Sequence, residues 1–330
     1  MWTLLFLDMP IVETFNLTKK FGKIMAVDNL GIGIEEGEVF GLLGPNGAGK
    51  TTIIKMLATL LKPTSGTAKV NGFDVMKQPH KVRESIGIVF QEPSSDELLT
   101  GYENMKLYAM MYGLSKEEIK KGISEALELV ELTERKDDLV RTFSGGMRRR
   151  LEIGRSLIHK PKVLFLDEPT LGLDPAGREK MWDYIGRLVK ELRMTVLLTT
   201  HYMEEADSLA SKVGIIDQGK IVTINSPKAL KKTVGGDLVT IKAANLNTEA
   251  LKKLDYVRNI KQEDGQVIIT VENVSKNLQE LLRVVGKIES VEVRNTTLND
   301  VFLHFTGRRI QEEGGNTWFD KIVQESVSKS

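Results

Sequence analysis

Three short stretches of the chain, 86–90, 163–166 and 195–199, are nearly all apolar. Apolar runs of this length read as strands buried on both faces, the mark of a parallel sheet between two helical layers. Further strands are expected at 11–17, 30–34, 39–43 and 213–216. Between them the apolar positions take helical spacing, so residues 11–233 read as one α/β domain. From 97 to 159 the strand pattern stops, and a helical insertion is expected there, with a capping box at Ser115 and Glu118. Gly235 and Gly236 then break the chain.

A second rhythm follows: strand 238–243, helix 248–254, strands 257–262 and 266–271 joined by a hairpin turn at 263–265, helix 274–285, strand 288–293 and helix 297–305. The order β-α-β-β-α-β is that of a ferredoxin-like unit. The expected organisation is an extension over 1–10, the α/β domain over 11–233, a small α+β domain over 238–307 and a tail over 308–330. Met9 is an alternative start, because organised sequence begins at Ile11. The tail is either disordered or a short helix with Trp318, Phe319, Ile322 and Val323 on one face.

Composition removes several classes. The 330 residues are 41% hydrophobic, enough for one large core and a smaller one. With 46 basic and 45 acidic residues there is no broad basic surface for nucleic acid, and none is expected as a partner. The absence of cysteine excludes disulfides, thiolate metal sites and cysteine nucleophiles, and fits a reducing cytoplasm. No apolar run approaches the ~18 residues of a membrane span. The apolar start at 2–7 is stopped by Asp8 and Pro10 and lacks a basic leader.

The chemistry is concentrated in a few motifs. Gly44-Pro45-Asn46-Gly47-Ala48-Gly49-Lys50-Thr51-Thr52 has the form G-x-x-x-x-G-K-[ST], between the strand at 39–43 and a helical run from 52. Glycines let the backbone N–H groups turn inward onto phosphate oxygens, and the helix start adds unpaired donors. Lys50 supplies a charge for β- and γ-phosphates, and Thr51 a hydroxyl for Mg²⁺. The strand at 163–166 ends in Asp167 and Glu168: the first is placed to hold Mg²⁺, the second to address an attacking water. Ser144-Gly145-Gly146 opens another helical run and forms a second anion site. Alone, such a Ser-Gly-Gly start is a common structural cap; between a phosphate loop and a carboxylate pair it is not. The run Arg148–150 reads as a solvated helix face, and His80, His159 and His304 as structural.

Together these motifs resemble the ATP-binding subunit of an ABC transporter, over roughly residues 11–233. Residues 143–147 match the family's signature motif, Gln91 its Q-loop glutamine, Leu173-Asp174 its D-loop and His201 its switch histidine. Phe21 matches the aromatic that stacks on adenine, although tyrosine is more usual there and a core role is the other reading. The resemblance implies a P-loop NTPase fold of ABC type with a helical subdomain, ATP and Mg²⁺ as ligands, and Gln91 as a further contact to the metal and water. It also implies Glu168 as general base, and His201 as a contact to the γ-phosphate. Two cassettes would meet head to tail as a homodimer, each completing the other's nucleotide site, on separate integral membrane permease subunits at the cytoplasmic face of the membrane. The segment 97–159 and the Gln91 loop would dock on the permease, with Glu103 either at that contact or simply a helix-start glutamate. Residues 99–104 and 300–308 resemble the daunorubicin- and multidrug-resistance exporter branch, which implies export. The alternative is a non-transport ABC ATPase of translation or DNA repair; a single phosphate loop and the lack of cysteine zinc sites speak against it.

Overall fold

The computed structural model describes residues 10–243, 248–263, 266–285 and 288–307. The segment 1–9, residues 264–265 of the expected turn and the tail from 308 lie outside the described residues. In chain order the first part holds β1 (Val12–Phe21), β2 (Ile24–Leu30), β3 (Gly33–Ile34), β4 (Val39–Leu43), α1 (Lys50–Leu57), β5 (Ser65–Val70), β6 (Phe73–Asp74), α2 (Pro79–Ser85) and β7 (Ile86–Val89). Helices α3 (Gly101–Met111), α4 (Lys116–Leu129) and α5 (Gly145–Leu157) follow, with two 3-10 turns between α4 and α5. Then come β8 (Val163–Asp167), α6 (Pro175–Leu192), β9 (Thr195–Thr200), α7 (Met203–Leu209), β10 (Lys212–Asp217), β11 (Lys220–Asn225) and α8 (Pro227–Thr233).

The six-stranded sheet runs β11-β10-β4-β9-β8-β7, parallel from β10 to β7 with β11 antiparallel at the edge. Its side chains alternate between two cores. Phe40, Leu42, Phe165 and Leu197 pack with α1 on one face, while Leu43, Leu164, Leu166 and Leu198 pack with α3–α7 on the other. Burial on both faces is why these strands are continuous apolar runs. The register places Leu43 beside Thr200 and Asp167 beside Thr199, so the carboxyl ends of β4, β9 and β8 finish side by side. That edge is where α/β sheets bind ligands.

A second, antiparallel sheet runs β2-β1-β5-β6, with β3 also on β1. The single strand expected at 30–34 is resolved into the end of β2 and the separate β3, and β2, β5, β6 and β11 go beyond the sequence reading. These strands lack a clean apolar pattern: Ile24 and Met25 of β2 are exposed, and β5 buries only Ala68 and Val70. The helix starts are well specified. Ser115 and Glu118 form the expected capping box, and Thr100 and Glu103 form another at the start of α3. The Glu103 carboxylate accepts from the Thr100 N–H and hydroxyl, which accounts for its helix-start reading.

The last part holds β12 (Asp237–Lys242), α9 (Thr248–Lys252), β13 (Val257–Glu263), β14 (Gln266–Val271), α10 (Val274–Val285), β15 (Ser290–Arg294) and α11 (Leu298–Thr306). Its antiparallel sheet has the order β13-β14-β12-β15 of a ferredoxin-like unit, with Val239, Ile241, Val267 and Ile269 packed against Leu251 and Leu281 of α9 and α10. Helix α11 packs elsewhere. Its Leu298, Val301 and Phe302 belong to the core beneath the large sheet, together with Met203 and Ala206 of α7 and Leu230 of α8. Phe302 is fully buried there, so Phe302→Ala is expected to cost about 3–5 kcal/mol of stability. Denaturant unfolding of the full chain checks this; a loss below ~1 kcal/mol would show that α11 is not part of that core.

Candidate functional site

The loop 44–49 leaves β4 and enters α1 under tight backbone constraints. A Cβ on Gly44 would lie 2.2 Å from the carbonyl oxygen of Ile216. Gly49 caps α1 with φ 105°, and a Cβ on it would lie 2.3 Å from the carbonyl oxygen of Ala26. Both positions therefore require glycine. Lys50, the first residue of α1, is buried, and its Nζ donates to the carbonyls of Gly44 (2.7 Å) and Pro45 (3.1 Å).

The carboxylate pair closes the site from β8. Asp167 Oδ1 accepts from Thr199 Oγ1 at 2.6 Å and from Thr51 Oγ1 at 3.2 Å. Its Oδ2 is buried without a partner among the described residues. At Glu168 the backbone turns left-handed, with φ 49°. The conformation costs about 1–2 kcal/mol, offset by an N–H shared between the Thr199 carbonyl and hydroxyl, each at 3.1 Å. It ends the alternation of the strand and aims Glu168 differently from Asp167. Glu168 Oε1 lies 3.2 Å from Lys50 Nζ, and Oε2 lies 3.0 Å from His201 Nδ1. Burial raises the Glu168 carboxyl, but the bonds to His201 and Lys50 outweigh it and hold the group below the ordinary carboxylate value. Burial lowers the Lys50 ammonium, against the pull of Glu168 and Asp167. His201 Nε2 is buried without a partner among the described residues.

Lys50, Thr51, Asp167, Glu168 and His201 thus form one contiguous cluster. Ser144, Gly145 and Gly146 do not join it. They begin α5, where Ser144 Oγ accepts from the Met147 N–H, and with Asp174 they line a separate cavity of about 1120 Å³. No residue of 44–52 lines that cavity, and neither do Asp167, Glu168 or His201. Phe21, at the tip of β1, is 46% exposed with Lys19 Nζ 5.0 Å from its ring centre, which favours its reading as a surface platform over a core residue. Gln91 is exposed in the bend after β7.

Three buried polar residues here escaped the sequence reading. Thr199 bonds to both carboxylate residues, and only the strand register, which sets it beside Asp167, marks it out. The expected solvated face at 148–150 is corrected at its centre: Arg149 is 7% exposed and bonded inside the fold, whereas Arg148 pairs with Glu97 and Arg150 with Glu131. Glu205 of α7 is fully buried, and its Oε1 accepts from Thr170 Oγ1 (2.9 Å) and Trp182 Nε1 (3.2 Å). Burial raises its carboxyl from the ordinary 4.5, so the folded state holds a proton that the unfolded chain releases. Stability from this group is fully present below pH 4.5 and falls as pH rises towards the folded value. Glu205→Gln is expected to flatten that decline in a pH series of denaturation midpoints; an unchanged slope would remove Glu205 as its source.

Asp167 and Thr51 offer oxygen donors of the kind Mg²⁺ takes, and the unpartnered Asp167 Oδ2 fits such an ion. The glycine-lined loop ending at Lys50 fits a polyphosphate.

Known proteins are similar to this chain in sequence and fold. A family model described as "ABC transporter" matches residues 27–171, and one described as "ATP-binding protein DrrA1-3-like, C-terminal domain" matches residues 226–306. The daunorubicin resistance ATP-binding protein DrrA2 of Streptomyces coeruleorubidus is 39% identical, covering 92% of this chain and 98% of that one. The linearmycin resistance ATP-binding protein LnrL of Bacillus subtilis is 37% identical, covering 92% of this chain and 100% of that one. Among solved structures, cbiO1 of Clostridium perfringens superposes with a TM-score of 0.64 at 30% identity, covering 69% of this chain and 94% of that one. A dimeric post-hydrolysis state of the ATP-binding cassette MJ0796 bound to ADP and Pi gives 0.58 at 30% identity, covering 65% and 98%. The chain therefore belongs to the ATP-binding, ATP-hydrolysing subunits of ABC transporters, in the branch with a DrrA-like C-terminal domain.

Proposed function

We propose that this chain powers export of a drug-like lipophilic compound through a separate membrane permease, acting as a pair of identical copies that sandwich two ATP molecules. One observation carries the paired reading: the phosphate-loop cluster and the Ser144–Gly146 helix start are separate within one chain. Each has the donors for a phosphate, and no residue of 44–52 lines the cavity at Ser144–Gly146. A second copy, turned head to tail, would bring its Ser144–Gly146 onto the γ-phosphate held at Lys50. Gly146 has nothing within 4 Å of where a Cβ would stand, so the chain itself does not require the glycine; close approach of a partner's nucleotide does.

Within such a site, Lys50 and the loop N–H groups bind the β- and γ-phosphates, and Phe21 stacks on the adenine. Glu168 accepts the proton of a water whose oxygen attacks the γ-phosphorus, while the bond to the bridging oxygen of ADP breaks. His201 orients the γ-phosphate, Gln91 the water, and Asp174 the opposing copy. Thr51, Asp167 and Gln91 would hold Mg²⁺, which when bound neutralises phosphate charge. Loss of the γ-phosphate removes the bridge between copies, and the resulting opening is the mechanical output.

The permease reading is supported by two features. No helix among the described residues is long and apolar enough to cross a membrane. The region around α3 also exposes Leu98, Leu107, Met110 and Met111, an apolar surface suited to a membrane-protein partner at the cytoplasmic face. The resistance functions named for DrrA2 and LnrL favour a drug-like cargo. Inside-out vesicles containing the chain and its permease should accumulate daunorubicin only with ATP. Vesicles that accumulate none, from cells in which the chain copurifies with no membrane protein, would contradict the transport reading.

A further inference from the structure

We propose that Arg149 and Glu152 are positioning residues that hold the hydrolytic turn and the Gln91 loop in register with the Ser144–Gly146 helix start. Arg149 lies just over one turn inside α5. Its guanidinium is buried and donates from all three nitrogens: Nε to the Pro169 carbonyl (2.8 Å), Nη2 to those of Glu168 (2.8 Å) and Asp167 (3.2 Å), and Nη1 to that of Phe90 and to Glu152 Oε2 (3.1 Å). Five acceptors match the five N–H groups of the planar fork, a set that no other side chain can serve.

The identity of these acceptors carries the argument. Carbonyls 167–169 belong to the segment where β8 ends and the backbone turns left-handed at Glu168. Fixing them fixes the direction in which the two carboxylates leave the chain. The Phe90 carbonyl immediately precedes Gln91. Glu152, 2% exposed, continues the link: its Oε1 accepts the Ser94 N–H at 2.7 Å, on the far side of the same bend. One buried pair on α5 therefore grips the Gln91 segment at both ends and the carboxylate turn along its backbone. The inference rests on the paired-site reading, in which the start of α5 meets the other copy's γ-phosphate. A shift of α5 on that contact would then reach the chain's own Glu168 and Gln91 through Arg149. The two nucleotide sites of the pair become coupled by a connection inside each chain.

Arg149→Lys tests this in the full chain, because it keeps the charge and replaces three nitrogens with one. The expected result is a split: kcat for ATP hydrolysis falls about 10²-fold, the effect of a small misplacement of the reacting groups. The Kd for Mg-ATP should stay within about twofold, since no phosphate contact is removed. In the Glu168→Gln background, Arg149→Lys should still pair on ATP addition. An unchanged kcat overturns the proposal. So does a loss of ATP affinity that accounts for the whole loss of rate. If Arg149→Lys does not fold, Glu152→Gln decides. It keeps an acceptor for Ser94 and removes the charge beside Arg149, so kcat should fall with Kd unchanged, and normal turnover overturns the inference. Failure of the base assignment reads separately, as normal turnover in Glu168→Gln alone.

Discussion

Glu168→Gln should bind ATP normally and lose about 10²–10⁴ of its turnover, the usual contribution of a positioned general base. The geometry argues for this size of effect. Glu168 is buried between Lys50 and His201, and the left-handed backbone that aims it is held by Thr199. Burial raises its carboxyl, the His201 and Lys50 contacts outweigh burial, and the group is a carboxylate throughout the neutral range. In the nucleotide-free chain, protonation of this group therefore begins only below the ordinary carboxylate range. Glutamine preserves shape and the hydrogen bond to His201 but accepts no proton. Steady-state phosphate release against equilibrium ATP binding separates the two effects; normal turnover would contradict the assignment.

Lys50→Ala is the second large expectation. Its ammonium reaches the carbonyls of Gly44 and Pro45 and the Glu168 carboxylate at once. In the proposed site, incoming phosphates would compete with Glu168 for it, so Lys50 would join the binding step to release of the base. Removing it should weaken ATP affinity about 30-fold or more, as for loss of one member of a buried, hydrogen-bonded charge pair. It should also destabilise the apo chain by about 3 kcal/mol, because Glu168 keeps only His201 as a partner. Near-normal ATP affinity would remove Lys50 from the phosphate site.

The parts of this architecture that are legible in the sequence are those whose physics is local. β7, β8 and β9 announce themselves because both faces are buried and almost every residue is apolar. The loop from Gly44 is legible because glycine is needed where the backbone approaches Ile216 and Ala26. β2 and β5 are obscured because one exposes Ile24 and Met25 and the other carries serine and glycine. In α11 the apolar face is plain, but its partner is not: Phe302 enters the large core, a choice made by tertiary packing. Arg149 differs from Arg148 and Arg150 only in helical phase, which turns it onto β8 while its neighbours reach surface glutamates. Thr199 reads as one more strand residue until register sets it beside Asp167.

In the proposed pair, one chain holds two halves of two different nucleotide sites. The most direct measurement is the solution mass of the Glu168→Gln chain by light scattering, with and without saturating Mg-ATP. The predicted result is a shift from the 36.9 kDa of one chain to twice that mass on adding ATP, reversed when ADP replaces it. A mass that stays at one chain with ATP fully bound would mean that the pocket is complete without a partner, and would contradict the shared site.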